Sequence, residues 1–140
     1  MAERPVIADT GPLVAFLVKR EPRHTWTVEQ FKSLPAPLLT CEPVLTEAFY
    51  LLSRVPDGPE LLFDLLRQGL LTLEFRLAKE AEALEGLIRK YRDIPMSLAD
   101  ACLVRMAEIH PNAAIFTLDR HFRIYRKHGR QPIEVIAPEE

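Results

Sequence analysis

The chain has 140 residues, 48% hydrophobic and 27% charged, which fits one globular domain over residues 1–140 and excludes a disordered or fibrous chain. Lys and Arg number 18 against 20 Asp and Glu, and the resulting net charge of −2 excludes a protein that coats nucleic acid through overall attraction. The start, MAERPVIADT, is too charged for a signal peptide, and no apolar run approaches the ~20 residues of a spanning helix, so no membrane association and a cytoplasmic location are expected.

The first pattern is strand, turn, helix. PVIAD, residues 5–9, is a short β-branched run that stops at Asp9, and TGPLVAFLVKR then begins a helical pattern with Gly11 and Pro12 at its mouth. Residues 23–33 read as a weaker helix closed by LPAPLL, and residues 38–40 as a short buried strand. EPVLTEAFYLLSR is helical, with Pro43 in its first turn. On its wheel Val44, Leu45, Ala48, Phe49, Leu51 and Leu52 fill one arc, and Glu47 stands at the margin. A glutamate there suits either a surface pair with Arg54 or the wall of a cleft.

DGPELLFDLLRQG follows as a helix opened by Asp57 and Pro59 and stopped by Gly69, and LLTLEF alternates like a strand. RLAKEAEALEGLIRKYRD places Leu77, Ala81, Leu84, Ile88 and Tyr91 on one stripe. In SLADACLVRMA the helical neighbours of Asp100 are Leu103, Val104 and Ala107, so a carboxylate heads an apolar stripe. Ser97 and Asp100 form a capping box, with Pro95 just upstream. Burying an unpaired carboxylate is costly, so Asp100 requires a partner. AAIFTLD is a strand that ends beside Asp119, a short basic helix follows, and PIEVIAP supplies the last strand.

Short apolar strands alternating with amphipathic helices predict an α/β domain, a central parallel sheet flanked by helices on both faces. The functional crevice of such a sheet lies beyond the carboxyl ends of its strands, where Asp9 and Asp119 fall. Each of these acids can also be a helix cap. Asp93, before the Asp100 helix, reads as loop surface. Cys41 and Cys102 lack partners at zinc-site spacing and read as reduced, buried thiols.

Taken together, two acids after strand ends, a third at a helix start and a fourth beside a buried helix face repel one another unless a cation neutralises them. Mg²⁺ and Mn²⁺ prefer such oxygen donors. DRHFRIYRKHGRQ, residues 119–131, holds five Lys or Arg against one Asp, with His121, Phe122, Tyr125 and His128 interleaved. It suits either a helix-dipole complement or a phosphate-binding patch.

The segments VIADTGPLVAFL, LTEAFYLL, MSLADACLVRMAE and IFTLDRHF, in this order and spacing, resemble the PIN-domain ribonucleases and, among them, the VapC-like toxins of prokaryotic toxin-antitoxin modules. The resemblance implies a PIN-like fold whose acidic pocket holds Mg²⁺ or Mn²⁺ and cleaves RNA. It puts the family's acids at Asp9, Glu47, Asp100 and Asp119, with Thr117 as the hydroxyl before the last acid. Asp9, Asp100 and Asp119 are then metal ligands, Glu47 a ligand or an orienter of water, and Thr117 a support for a carboxylate or water. Asp93 matches an additional acid of some relatives. Gly11 and Pro12 replace the Asn that many relatives carry after the first Asp-Thr pair, a variant that bears on substrate fit.

Arg120, Arg123 and Arg126 are the candidates for phosphate contacts. The resemblance further implies a cognate antitoxin that inserts a segment near the pocket, and a homodimer. Two rival acidic enzymes or switches lack their marks: position 11 is Gly where a haloacid-dehalogenase-type phosphatase needs Asp, and no Lys follows IFT as a phospho-receiver requires. A PIN-like module that binds without cleaving is disfavoured by the presence of all four acids. A PIN nuclease of RNA processing outside toxin-antitoxin systems is the other alternative, although a free-standing domain suits the toxin better.

Overall fold

The computed structural model describes residues 4–139, so the expected single domain over residues 1–140 reaches slightly outside it at both ends. In chain order these residues form β1 (Val6–Ala8), α1 (Thr10–Leu17), α2 (His24–Ser33), β2 (Leu38–Leu39), α3 (Glu42–Leu52), α4 (Gly58–Arg67), β3 (Leu71–Thr72), α5 (Ala81–Lys90), α6 (Leu98–Ile109), β4 (Ala114–Phe116), β5 (Arg126–Lys127), β6 (Gln131–Pro132) and β7 (Val135–Ile136). Short 3₁₀ turns lie at Leu77–Glu80 and Arg120–Arg123.

Among the described residues, five strands make one parallel sheet in the order β3-β2-β1-β4-β7, with the helices packed around it. This is the expected α/β architecture. β1 occupies the centre because Val6, Ile7 and Ala8 are apolar without alternation, as a strand covered on both faces must be. Ile7 stands opposite Leu39 on one side and Ile115 on the other. The strands are shorter than the sequence patterns suggest, since the expected strand over residues 70–75 contributes only Leu71 and Thr72 to the ladder.

α6 is buried almost all round, with Ala101, Cys102, Leu103, Val104 and Ala107 closed to solvent. Its alanines let it approach the sheet closely while Leu103 and Val104 fill the space between. Cys41, at the start of α3, and Cys102 on α6 are both free and buried, and the neighbouring Cys102 thiol together with burial pushes the Cys41 thiol up. The two cysteines, unrelated by spacing in the sequence, thus join the start of α3 to α6 in the core.

Two elements differ from expectation. The buried face of α5 is Leu84, Leu87 and Tyr91, whereas Leu77 and Ile88 are exposed. Residues 77–80 wind as a 3₁₀ turn with three residues per turn, so a helical phase counted from Leu77 does not carry into the α-helix. The basic segment is not one helix either. After the Arg120–Arg123 turn it becomes an antiparallel ribbon of β5 and β6, reversed where His128 (φ 52) and Gly129 (φ 81) adopt positive φ.

The sheet aligns the ends that matter. Ala8 pairs with Phe116, and the Asp9 N–H donates to the Phe116 carbonyl at 2.9 Å, so the chain leaves β1 and β4 side by side.

Candidate active site

Asp9 follows β1 and caps α1. Its Oδ1 accepts from the Thr10 N–H at 2.7 Å, and its Oδ2 accepts from the Thr117 hydroxyl at 2.7 Å. The carboxyl is buried, and burial is the main reason its pKa is pushed up to about 6. The two donors oppose that rise, while the nearby charges of Asp100 and Asp119 add to it. An ionised carboxylate is therefore held here against both desolvation and repulsion.

Thr117 lies just past β4, closed to solvent. Its Oγ1 donates to Asp9 and accepts from the Asp119 N–H at 2.9 Å. Only a hydroxyl can fill both roles from one atom, which ties the loops after β1 and β4 together.

Asp100 sits in the first turn of α6. The capping box is present: Ser97 Oγ accepts the Asp100 N–H at 3.0 Å, and Asp100 Oδ2 accepts the Ser97 N–H at 3.4 Å. The cap is only part of the answer to its partner. The buried Tyr125 hydroxyl donates to Asp100 Oδ2 at 3.0 Å. Burial raises the Asp100 pKa most, and the charge of Asp119 adds to the rise. Burial and the neighbouring Asp100 charge also push the Tyr125 hydroxyl above its ordinary value, so it stays protonated as a donor.

Asp119 caps the 3₁₀ turn and is more open. Its Oδ1 accepts from the His121 N–H at 2.9 Å and faces His121 Nδ1 at 2.9 Å. Glu47 is half-buried on α3, and its Oε1 accepts from the Thr10 hydroxyl at 2.8 Å. Thr10 thus serves Asp9 through its backbone and Glu47 through its side chain, and the Glu47 partner is Thr10 rather than Arg54. Asp93 is exposed in the turn after α5 and takes part in none of these bonds.

The structure thus brings Asp9, Asp100 and Asp119 within reach of one another's charge and links Glu47 to them through Thr10. Among the described residues, no three His, Cys, Asp or Glu side chains already form a group that could hold a metal ion. Each carboxylate instead rests on protein donors, Asp9 on Thr117, Asp100 on Tyr125, Asp119 on His121 and Glu47 on Thr10. That is how like charges settle when nothing else neutralises them. The donors are all hard oxygens, which fit Mg²⁺ or Mn²⁺ and do not suit soft metals.

The cluster has two flanks. On one side Glu47 borders an open groove of about 780 Å³ whose walls include Leu73, Phe75, Leu77 and Leu98. On the other, Asp119 borders a cleft of about 240 Å³ shared with Arg120 and Arg123. Arg126 is engaged differently: its guanidinium donates to the carbonyls of Arg123, Ile124 and Tyr125 at 2.8, 3.2 and 3.1 Å. It complements the end of the turn, as the helix-dipole reading has it. Thr10, Tyr125 and His121 were not legible as parts of the site. Thr10 carried a signal in its place beside Asp9, whereas Tyr125 and His121 looked only like rings between basic residues.

Comparison with known proteins agrees with this geometry. Residues 6–127 match the PIN domain family. The chain is 33% identical over 134 residues to Ribonuclease VapC26 of Mycobacterium tuberculosis (strain ATCC 25618 / H37Rv), covering 94% of this chain and 99% of that protein. The crystal structure of Mycobacterium tuberculosis VapC20, a sarcin-ricin loop cleaving toxin, superposes with a TM-score of 0.67 at 21% identity, over 81% of this chain and 89% of that one.

Proposed function

The chain belongs to the PIN-domain family, and on that footing we propose that it is an endoribonuclease of the VapC toxin type that hydrolyses RNA phosphodiester bonds with Mg²⁺ or Mn²⁺ at the carboxylate cluster. The observation that carries the reading is the convergence of Asp9, Asp100 and Asp119, two of them buried with raised pKa values, beyond the carboxyl ends of adjacent strands.

Asp9, Asp100 and Asp119 hold the ion, directly or through water, and Glu47 is a further ligand or fixes a water. Bound there, the ion would supply a water of lowered pKa and positive charge against the phosphoryl oxygens. The protein's own contribution is orientation. Thr117 fixes the Asp9 carboxylate and the Asp119 backbone, and the Ser97 cap and Tyr125 hold the Asp100 carboxylate from two directions. Arg120 and Arg123 meet backbone phosphates of the RNA beside Asp119. Residues 1–140 act as one catalytic domain.

The partners follow from the surfaces. A cognate antitoxin lays a segment into the apolar groove beside Glu47 and so covers the acids. Phe49, Tyr50 and Leu51 on α3 with Phe63 on α4 are exposed, and the Phe49 and Phe63 rings meet edge to face at 6.3 Å. An apolar face of this kind supports a homodimer. Among the described residues no helix is long and apolar enough to cross a membrane, and cytoplasmic RNA is the substrate.

The test is cleavage of single-stranded and stem-loop RNAs by the purified protein after EDTA treatment, with Mg²⁺ or Mn²⁺ restored. Activity should return with the ion and be absent in Asp100→Asn. Cleavage that ignores EDTA, or that persists in the variant, would overturn the reading. A binding module that does not cleave would bind these RNAs under every condition and leave them intact.

A further inference from the structure

The ribbon of β5 and β6 leaves the acid cluster directly. Tyr125, whose hydroxyl holds Asp100, is followed at once by Arg126 and Lys127 on β5, and the turn through His128 and Gly129 then leads to Arg130. The end of α5 lies against this ribbon. Lys90 Nζ donates to the Gly129 carbonyl at 2.9 Å, and the Tyr91 hydroxyl accepts from the Arg126 N–H at 2.8 Å, so residues 90–92 run beside residues 126–130.

Lys90, Arg92, Lys127 and Arg130 thus share one surface, and among the described residues none of the four pairs with an acid. Lys90 and Lys127 donate instead to neutral carbonyls, Lys127 to that of Pro111 at 2.9 Å, which fixes their positions and leaves their charge uncompensated. The acids nearby are mostly engaged: Glu108 takes Arg105 and the His128 N–H, Glu85 takes Arg89 and Glu134 takes Arg4, while Asp93 follows Arg92 in the turn. The surface is therefore positive on a chain whose net charge is −2. Lys90 also complements the carboxyl end of α5, but Arg130 stands in the ribbon with no helix end to serve.

The rings of this surface decide which polyanion fits it. Tyr91, Phe122 and Tyr125 are buried, Tyr91 and Tyr125 meeting edge to face at 5.0 Å, and of the rings between residues 119 and 131 only the His128 imidazole, at the tip of the ribbon, is exposed. A site for unpaired nucleotides offers aromatic faces on which bases stack, whereas a base-paired arm turns its bases inward and presents phosphates. Here cations stand outside and the tyrosines are turned in.

We propose that Lys90, Arg92, Lys127 and Arg130 form a docking surface for the phosphate backbone of a base-paired RNA arm, which holds an adjoining loop at the acid cluster. The proposal rests on the ribonuclease reading only for the nature of its ligand. Its contacts are to phosphates, so the arm is recognised by charge and shape and not by sequence.

The wild-type protein in EDTA, which prevents metal-dependent cleavage, would be titrated with a labelled blunt RNA duplex and with an unpaired RNA of the same length, and anisotropy followed over a salt series. The duplex should bind about tenfold more tightly than the unpaired strand, and a duplex of scrambled sequence should bind equally well. Arg92→Gln combined with Arg130→Gln breaks no side-chain bond within the protein, and it should weaken duplex binding about tenfold and lower the salt slope by about two. Arg130→Lys alone should keep the wild-type slope. Unaltered affinity and slope in the double variant, or binding of the unpaired strand as tight as that of the duplex, would overturn the proposal. Displacement of the duplex by polyglutamate at equal charge concentration would assign the surface to an acidic protein segment and overturn it as well. A wild-type protein that binds the duplex in this way yet cleaves no RNA in Mn²⁺ would sink the ribonuclease reading and support the docking surface. Cleavage of a stem-loop RNA by the wild type, with a KM unchanged in the double variant, would sink the docking surface alone.

Discussion

Replacing Asp9 by Asn should stabilise the protein when divalent metal is absent. Burial, with the charges of Asp100 and Asp119, moves the Asp9 carboxyl from its ordinary 3.8 to about 6, so the ionised group costs the folded state about 3 kcal/mol above that pH. Asparagine removes the charge and keeps the acceptor for the Thr10 N–H. Its amide nitrogen would face Thr117 Oγ1, which already accepts from the Asp119 N–H, so the Thr117 proton loses its acceptor at about 1 kcal/mol. A net gain of about 1–2 kcal/mol remains at pH 7.5. Its sign depends on pH. A folded-state pKa raised above the unfolded value means that stability is highest below 3.8 and falls as pH rises through 6, so the advantage of Asn should grow across that window and vanish below it. Urea unfolding in EDTA at pH 4.5, 6 and 7.5 measures this. An Asp9→Asn protein that is less stable at pH 7.5, or whose gain is the same at pH 4.5, would refute the reasoning.

Tyr125→Phe deletes the hydroxyl that donates to Asp100 Oδ2, and urea titration should show a loss of about 1 kcal/mol, with RNA cleavage reduced in the same protein. Thr117→Val leaves Asp9 Oδ2 and the Asp119 N–H without their partner, so a loss of about 2 kcal/mol is expected, and Thr117→Ser should restore most of it. Gly58→Ala would drive a methyl group into the Leu52 carbonyl oxygen between α3 and α4, and differential scanning calorimetry should show a destabilisation of about 2 kcal/mol.

The parts of the fold visible in the sequence are those encoded by local periodicity. β1 and β4 are unbroken apolar runs that stop at an acid, so the pattern that marks the strand also places Asp9 and Asp119 at its end. Asp100 was readable because a capping box is a four-residue signal. Glu47 was readable because it interrupts an apolar arc, although its bond to Thr10 crosses 37 residues and has no local trace. The same limit hid the bond from Tyr125 to Asp100, the meeting of Cys41 with Cys102 and the approach of Arg23 to Asp119, all of which depend on how distant elements pack. The β5–β6 ribbon is different, since its turn was written in the chain. A His-Gly pair is a fair substitute for the Asn-Gly of a tight hairpin, but five basic residues nearby suggested a helix end instead.

The central claim is that Asp9, Asp100 and Asp119 together form a site for a divalent cation. Titration calorimetry of Mn²⁺ into EDTA-treated, dialysed protein at pH 7.5 tests it most directly, with Asp9→Asn and Asp100→Asn measured beside the wild type. The account predicts saturable binding that weakens by at least tenfold in each variant, while both variants stay folded without metal. Equal Mn²⁺ affinity in all three proteins would contradict it.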